Sequence, residues 1–330
     1  MLSASPLRGK SYAEGTADFS ACFFPLKHSA SISRESSLLK ENNIHLSLLH
    51  ETETMYLPYP SGIAEKYGFV RRTRLCYLYT LSGKRLTDMY QEAGRAILGW
   101  KSGTACTIFK NTMNRGATGS FHSEEEHRLE KAVQKLFASD ADKSVFQFIR
   151  WYVGGKAAML FSAALGGSVP LWRPWLEAAE RADALIFSPP FPFARDCVIF
   201  AAKTEDAVAE YAQDLACTPS SLLPPCTLSG ITRGIYDLIR ELPARSESGW
   251  SRYDTVLNKY WERRGPYLFP RVPKESYARF AEHCLECGLV VSPQYDIPSI
   301  VPWGANEGDF TALNRSCLDE ATPAQNRETE

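Results

Sequence analysis

Short apolar segments alternate with helix-like segments between residues 124 and 243, and this alternation constrains the fold more than any other feature of the chain. Ser123 and Glu126 form a capping-box pattern at the start of one helix. The helix carries one apolar stripe, formed by Leu129, Ala132, Val133, Leu136 and Phe137. Val145 to Tyr152 is apolar on both faces, which is typical of an interior strand. The alternation predicts an α/β protein with a parallel or mixed sheet covered by helices.

Further elements follow from the same patterns. Strands are predicted at Ala184 to Ser188 and at Cys197 to Ala201, with a loop rich in Pro and Phe between them. Helices are predicted at about 204–216, 227–242 and 250–263. The Gly-, Thr- and Asn-rich stretch that follows Trp100 and runs through Ser120 predicts a loop.

Changes in pattern divide the chain into regions. Residues 1–54 lack sustained periodicity and are expected to form a poorly ordered arm, and 319–330 form a tail. Residues 55–115 contain a predicted hairpin, with strands at Tyr77 to Leu81 and Arg85 to Thr87. Residues 116–243 carry the strand–helix alternation. Residues 250–318 predict a compact α+β lobe.

The C-terminal lobe is predicted as strand, helix, strand and helix. The elements are Tyr267 to Val272, a helix from Pro273, Leu289 to Val291 and a helix from Glu307 to about Cys317. So small a lobe buries too little apolar surface alone. It is therefore predicted to contact the hairpin, through Tyr77, Tyr79 and Leu81, which alternate to a single face.

The charge balance argues against two classes of partner. The 330-residue chain carries 37 basic and 38 acidic residues, a formal net charge of −1. Nucleic-acid binding usually requires a basic patch, and an anionic membrane attracts a polybasic segment. No apolar run reaches the roughly 18 residues that a membrane span needs. The sequence therefore predicts neither a nucleic-acid partner nor a membrane partner.

Cysteine and histidine patterns favour structural roles over metal binding. The nine cysteines are an odd number with mostly apolar neighbours, which favours reduced core thiols in a cytoplasmic protein. His122 and His127 are five residues apart, so they lie on different faces of a helix. Cys284 and Cys287 form a single CxxC without the second ligand pair that zinc requires. No metal site is predicted.

Gly154, Gly155, Lys156 and Ala157 form the one glycine-rich feature between an apolar strand and a helix. Free backbone N–H groups at such a helix start can hold a phosphate, and Lys156 adds a positive charge. The alternative interpretation is a tight strand-to-helix turn that only glycine permits.

The segment from Tyr77 to Gly99 resembles the entry hairpin of the class III, fold-type-I pyridoxal-phosphate aminotransferases, of the glutamate-1-semialdehyde aminomutase kind. It keeps Gly83-Lys84-Arg85, Asp88 and Leu98-Gly99 of the family pattern, with Trp100 where the family has histidine. Residues 154–157 fall where the family has its phosphate cup.

The C-terminal lobe is the better match to this family. It has Gly288 before a strand, Ser292-Pro293 after it and Gly308-Asp309-Phe310 near its end. The resemblance spans about 75–318. It implies a reduced aminotransferase-like sheet domain covered by helices, together with an α+β small domain.

The middle of the chain is shorter than the family pattern. Family members carry a strand that ends in an Asp for the pyridine nitrogen, and a later Lys that forms the Schiff base. The stretch between Lys156 and Leu242 is too short for that section, and Asp183 precedes its strand. Lys203 follows an apolar strand and is the remaining candidate lysine, although its neighbours also fit an exposed helix cap.

The resemblance thus implies a shortened aminotransferase-like protein that has lost catalysis, binds no cofactor and has a binding or regulatory role. The alternative is a functioning pyridoxal-phosphate aminotransferase or aminomutase with Lys203 as an atypical lysine. A small phosphorylated ligand is a further expectation. A homodimer is also expected, because fold-type-I sites are built at a subunit interface.

Overall fold

The structure, a computed structural model, describes residues 59–100, 103–138, 146–176, 182–211 and 218–316. The predicted arm at 1–54 and the predicted tail at 319–330 lie outside these residues. Among the helices described, none has the length and apolar character that crossing a membrane requires.

Ten strands and ten α-helices are assigned in this part of the chain. The strands are β1 (Val70–Arg74), β2 (Tyr77–Thr80), β3 (Arg85–Asp88), β4 (Phe148–Tyr152), β5 (Ala184–Phe187), β6 (Val198–Ala202), β7 (Trp261–Arg264), β8 (Tyr267–Pro270), β9 (Leu289–Val290) and β10 (Ser299–Ile300). The helices are α1 (Gly62–Tyr67), α2 (Ala105–Asn114), α3 (Glu124–Leu136), α4 (Gly155–Leu165), α5 (Glu205–Tyr211), α6 (Pro225–Ala244), α7 (Glu247–Ser251), α8 (Asp254–Leu257), α9 (Tyr277–Glu286) and α10 (Thr311–Arg315). Short 3₁₀ turns precede α9 and α10, at Lys274–Ser276 and Glu307–Phe310.

The hairpin and the C-terminal lobe share a four-stranded sheet in the order β1-β2-β3-β9. Its first three strands are antiparallel, whereas β3 and β9 are parallel, with Thr87 opposite Leu289. The predicted contact between lobe and hairpin is therefore confirmed. Tyr77 lies in the same apolar core as Phe280, and Tyr79 lies at its edge. The prediction for Leu81 was wrong: it is 62% exposed, because β2 ends at Thr80 and the turn begins.

The strands of the middle region form a sheet in the order β4-β6-β5, and both pairings are antiparallel. The prediction of parallel pairing was wrong for these three strands, whereas an isolated parallel bridge joins Leu171 to Ile186 of β5, as in a mixed sheet. Parallel neighbours need a crossover connection of a dozen or more residues. The loop from Ser188 to Cys197 is too short for one, so it reverses the chain and β6 enters between β4 and β5.

Helices cover both faces of this three-stranded sheet, as the alternation predicted. One apolar core joins α4 and α5 to side chains such as Tyr152, Val198 and Phe200. The other core joins α2, α3 and α6 to the opposite face, which Trp151 and Ile199 share. The fold is thus a small α/β sheet layer together with the α+β region that the hairpin and the lobe build.

Two predicted segments have a different structure. The stretch predicted as a loop contains α2, which packs along α6 and buries Ala105 and Thr112. The helix predicted at 250–263 is instead α7, α8 and the start of β7. Trp261 pairs with β8 and is fully buried, so its tertiary contacts override the local helix pattern.

Candidate ligand-binding cleft

Asp88 ends β3 and has no exposed surface. Its Oδ1 accepts the backbone N–H groups of Tyr90 and Gln91, at 3.0 and 2.9 Å. Its Oδ2 accepts the Tyr59 hydroxyl at 2.8 Å and the Trp100 indole N–H at 2.7 Å. Burial raises the pKa of this carboxyl from 3.8 to about 6, although all four donors act to lower it. Asp88 is therefore an anchor for the chain that follows β3.

The chain after Asp88 forms a left-handed turn. Gln91, Glu92 and Ala93 have φ values of +49°, +52° and +54°, and Gly94 follows at +93°. Left-handed backbone costs a non-glycine residue roughly 1–2 kcal/mol, and consecutive cases are rare. The Tyr59 hydroxyl, which donates to Asp88, accepts the Glu92 N–H at 3.1 Å. The anchored carboxylate and this tyrosine together hold the strained turn.

Arg95 joins the turn to the loop between β5 and β6. Its guanidinium is fully buried. Nε donates to the carbonyl of Ala194 at 3.0 Å, and Nη2 donates to that of Cys197 at 2.9 Å. The turn is therefore fixed at both ends, to the hairpin through Asp88 and to the sheet layer through Arg95.

Next to this turn lies a cleft of about 500 Å³, including its open mouth, which we term the Arg173 cleft. Its walls come from the turn, from α4, from the loops beside β5 and from the C-terminal lobe. The lining residues are Ala93, Gly94, Ile97, Phe161, Leu171, Trp172, Arg173, Pro174, Ser188, Pro190, Tyr267, Ile297, Pro298 and Ile300. A concave, mostly apolar site with a few polar groups is typical of small-molecule binding.

Three polar side chains face this apolar surface. The guanidinium of Arg173 lies 5.9 Å from the centre of the Tyr267 ring, and Ser188 adds a hydroxyl to the lining. Tyr267 is 3% exposed, and its hydroxyl has no hydrogen-bond partner among the described residues. Burial raises the pKa of Tyr267, so the hydroxyl remains a donor at neutral pH. The arrangement can bind an anionic group beside an apolar body.

The glycine-rich feature lies at the start of α4, outside this cleft. Gly154 has φ +62° and ψ −139°, a conformation that is almost restricted to glycine. Gly155 does not have a positive φ, and a Cβ added to it would meet no atom within 4 Å. The requirement for glycine therefore applies to Gly154 alone. Gly155 and Lys156 are exposed, whereas Ala157 is buried in the core.

Lys203 lies far from that turn. The antiparallel register places Tyr152 opposite Val198 at one end of the β4–β6 pair and Phe148 opposite Ala202 at the other. Lys203 follows Ala202, whereas Gly154 follows Tyr152. Four residues at about 3.3 Å each separate the two ends, roughly 13 Å before either loop is counted. The Lys203 Nζ lies 3.3 Å from the Asp183 carboxylate.

The residues described do not fit pyridoxal phosphate. Its chemistry needs a lysine amine, a carboxylate for the pyridine nitrogen and a phosphate cup at one site. Antiparallel pairing separates Lys203 from the Gly154 turn, and no described lysine lines the Arg173 cleft. Apart from Lys203, which is half-buried, each described lysine is exposed.

The other motifs that the sequence singled out have local partners. His122 Nδ1 lies 3.1 Å from Glu126, and the backbone N–H of Ser123 donates to the same carboxylate at 3.2 Å. Cys284 is fully buried in the core of the lobe. Cys287 lies 3.8 Å from His283 Nε2.

Arg173 and Tyr267 were not identified from the sequence. Arg173 lies in a loop without periodicity, and Tyr267 has the pattern of an ordinary strand residue. No local signal marks either one, because the cleft forms only where the lobe meets the sheet layer. The family resemblance singled out Asp88 as a matching residue, but it did not predict that Asp88 anchors the turn.

Comparisons with other proteins bear on the fold. No family model matches the chain. An uncharacterized protein of Treponema pallidum is 27% identical over 289 residues, covering 74% of this chain and 92% of its own length. An uncharacterized protein of Borreliella burgdorferi is 22% identical over 270 residues, covering 79% of this chain and 94% of its own length.

Aminotransferases are among the solved structures with a similar fold. An ornithine aminotransferase from Plasmodium yoelii has a TM-score of 0.53 at 11% identity, covering 77% of this chain and 95% of its own. The ornithine delta-aminotransferase of Plasmodium falciparum reaches 0.55 at 10% identity, covering 83% and 96%. An omega-transaminase from Sphaerobacter thermophilus reaches 0.53 at 10%, covering 74% and 90%. The chain therefore has an aminotransferase-like α/β fold.

Proposed function

We propose that this protein is a shortened aminotransferase-fold protein of the class III type that has lost pyridoxal-phosphate catalysis and has a binding or regulatory role. Its ligand is a small phosphorylated molecule with an apolar body, held in the Arg173 cleft. The alternative is the active enzyme with Lys203 as its Schiff-base lysine.

The observation that carries the loss of catalysis is the antiparallel pairing of β4 and β6. A cofactor whose phosphate lies at the Gly154 turn cannot also reach Lys203 at the other end of the sheet. The ion pair between Lys203 and Asp183 adds to this argument, because it gives the amine a partner within the chain at 3.3 Å.

The chemistry of the Arg173 cleft supports the choice of ligand. A guanidinium and two hydroxyls can donate several hydrogen bonds to a phosphate monoester. The hydroxyl of Tyr267 lacks a partner among the described side chains and gains one in a complex. Phe161, Leu171 and Ile300 supply apolar surface for the rest of the molecule.

Spectroscopy tests the loss of catalysis. We expect the purified protein, incubated with pyridoxal phosphate, to show no stable visible absorbance band that borohydride removes. The Lys203→Ala variant should behave identically. A band that is present in the wild type and absent in Lys203→Ala would support the active enzyme and refute the proposal.

Calorimetric titration with phenyl phosphate tests the cleft. We expect saturable binding that weakens at least tenfold in Arg173→Gln, because a hydrogen-bonded charge is lost. Tyr267→Phe should weaken binding less, and Arg279→Gln on the exposed face of α9 serves as the matched control. Equal affinity in Arg173→Gln and the control would exclude this cleft as the site.

A further inference from the structure

A second cleft, of about 350 Å³ including its open mouth, lies against the same left-handed turn. We term it the Arg245 cleft. Ala93 and Gly94 line the Arg173 cleft, Gln91 lines the Arg245 cleft and Ile97 lines both. Nothing in the proposed function uses this second site.

The charged group of this cleft is the guanidinium of Arg245, whose side chain is 8% exposed. Nε donates to Glu241 at 3.2 Å, and Nη1 donates to the carbonyl of Ile97 at 2.9 Å. Nη2 has no hydrogen-bond partner in the described part of the chain, yet it is not sealed from solvent. The Glu241 carboxylate also lies 3.5 Å from the Arg240 guanidinium, so its negative charge is shared between two arginines and does not fully neutralise Arg245. A largely buried cation with an uncommitted donor favours an anion.

Gln91 supplies a second uncommitted polar group. Gln91 is one of the residues that line the cleft, and it is 3% exposed. The amide Nε2 is buried and has no partner within the described structure. Buried amides are nearly always hydrogen-bonded, so each exception calls for an explanation. Rotation of the side chain toward the cleft would let a ligand oxygen supply the missing acceptor.

The remaining walls are apolar and include a flat aromatic ring. Leu75 and Leu98 line the cleft together with Trp303, whose ring lies 5.4 Å from the Arg245 guanidinium carbon. One uncommitted guanidinium nitrogen and one amide match the two oxygens of a monoanion better than a phosphate dianion. The aromatic and leucine surfaces favour a planar apolar body.

We propose that the Arg245 cleft binds a small aromatic carboxylate, with its carboxylate on Arg245 and Gln91 and its ring against Trp303. The argument is independent of the Arg173 cleft and of the loss of catalysis. It requires only that the full chain is folded.

Fluorine NMR of protein labelled with 5-fluorotryptophan tests the proposal, because Trp303 lines this cleft and does not line the Arg173 cleft. The Trp303 resonance is identified from its loss in Trp303→Phe. We expect benzoate to shift this resonance in a saturable titration and neutral benzamide to leave it unchanged. No shift with benzoate, or an equal shift with benzamide, would overturn the proposal.

Two variants connect the shift to the polar groups. Arg245→Gln keeps a donor for the carbonyl of Ile97 but removes the charge, so we expect the dissociation constant for benzoate to rise at least tenfold. Arg264→Gln, at an exposed arginine, is the matched control. If Arg245→Gln does not fold, Gln91→Glu places a negative charge in the cleft and should abolish the shift. Unchanged affinity in the folded variant refutes the assigned contacts.

Discussion

Asp88 is the residue on which the local architecture of both clefts depends. Its carboxylate holds the N–H groups that begin the left-handed turn, and the turn lines each cleft. A carboxyl group with four donors would ordinarily titrate low, but complete burial outweighs them and raises its pKa to about 6. The folded protein therefore binds a proton at Asp88 more readily than the unfolded chain does.

This difference predicts a pH dependence of stability. A raised carboxyl pKa stabilises the folded state at low pH, and the contribution is lost as pH rises through about 6. We expect the free energy of unfolding of the wild type minus that of Asp88→Asn to fall by roughly 2 kcal/mol between pH 4.5 and pH 7. Urea denaturation of both proteins across this range measures it. A difference that does not vary with pH would contradict the assignment.

The two glycines before α4 provide a matched pair. Gly154 has a backbone conformation that an L side chain rarely adopts, so Gly154→Ala should reduce stability by about 1–3 kcal/mol. Gly155→Ala meets open space at the first turn of a helix and should be neutral or stabilising by up to about 1 kcal/mol. Urea denaturation distinguishes them, and equal effects of the two substitutions would contradict the prediction.

At the scale of elements, α6 carries a face of small residues that brings the loop between β5 and β6 close. A Cβ on Gly234 would lie 2.8 Å from the carbonyl oxygen of Pro190, and one on Gly230 would lie 2.5 Å from the Phe191 ring. Both glycines are buried in the middle of the helix. Glycine therefore lowers the helix propensity here but allows a close contact between helix and loop. This loop contributes Pro190 to the Arg173 cleft.

Gly234→Ala tests that contact. Alanine favours a helix interior over glycine by about 1 kcal/mol, but here the backbone of the loop would have to move. We expect a net loss of about 1–3 kcal/mol in the free energy of unfolding. Gly308→Ala, which meets no atom within 4 Å, is the control and should leave stability nearly unchanged. A stabilising Gly234→Ala would show that the loop yields easily.

At the scale of the molecule, the C-terminal lobe and the N-terminal hairpin act as one structural unit. The Thr87 N–H donates to the carbonyl of Gly288, and that of Met89 donates to Val290. The Tyr77 hydroxyl donates to Asp309 at 2.9 Å. These contacts join segments that are about 200 residues apart in the chain. The homodimer implied by the family resemblance stays a prediction.

Hydrogen exchange tests this unit. Phe280→Leu removes buried ring surface in the lobe and should destabilise it by about 1 kcal/mol. We therefore expect the amides of Thr87 and Met89, in the hairpin region, to exchange roughly five- to tenfold faster. Phe193→Leu, at a 65% exposed position, is the control. Unchanged exchange at Thr87 and Met89 in Phe280→Leu would mean that hairpin and lobe open separately.

Local signals in the sequence determined several elements correctly. The capping box at Ser123 and Glu126 marks the start of α3, and the stripe that begins at Leu129 is the face it buries. Tyr277, Phe280 and Cys284 have the same spacing and form the buried face of α9. These features depend on residues three or four positions apart, so periodicity and capping chemistry are sufficient to predict them.

Only the tertiary structure decided the strand order and the clefts. Whether β6 pairs antiparallel between β4 and β5 depends on where a short loop returns the chain, and the apolar pattern of a buried strand is the same in either direction. The left-handed turn has no local signal at Gln91 or Ala93, because Asp88 and Tyr59 impose it through contacts. Arg173 and Tyr267 form one site because the lobe folds onto the sheet layer. Long-range contacts of this kind join side chains that are distant in the sequence, and the residues adjacent to each one in the chain give no information about its partner.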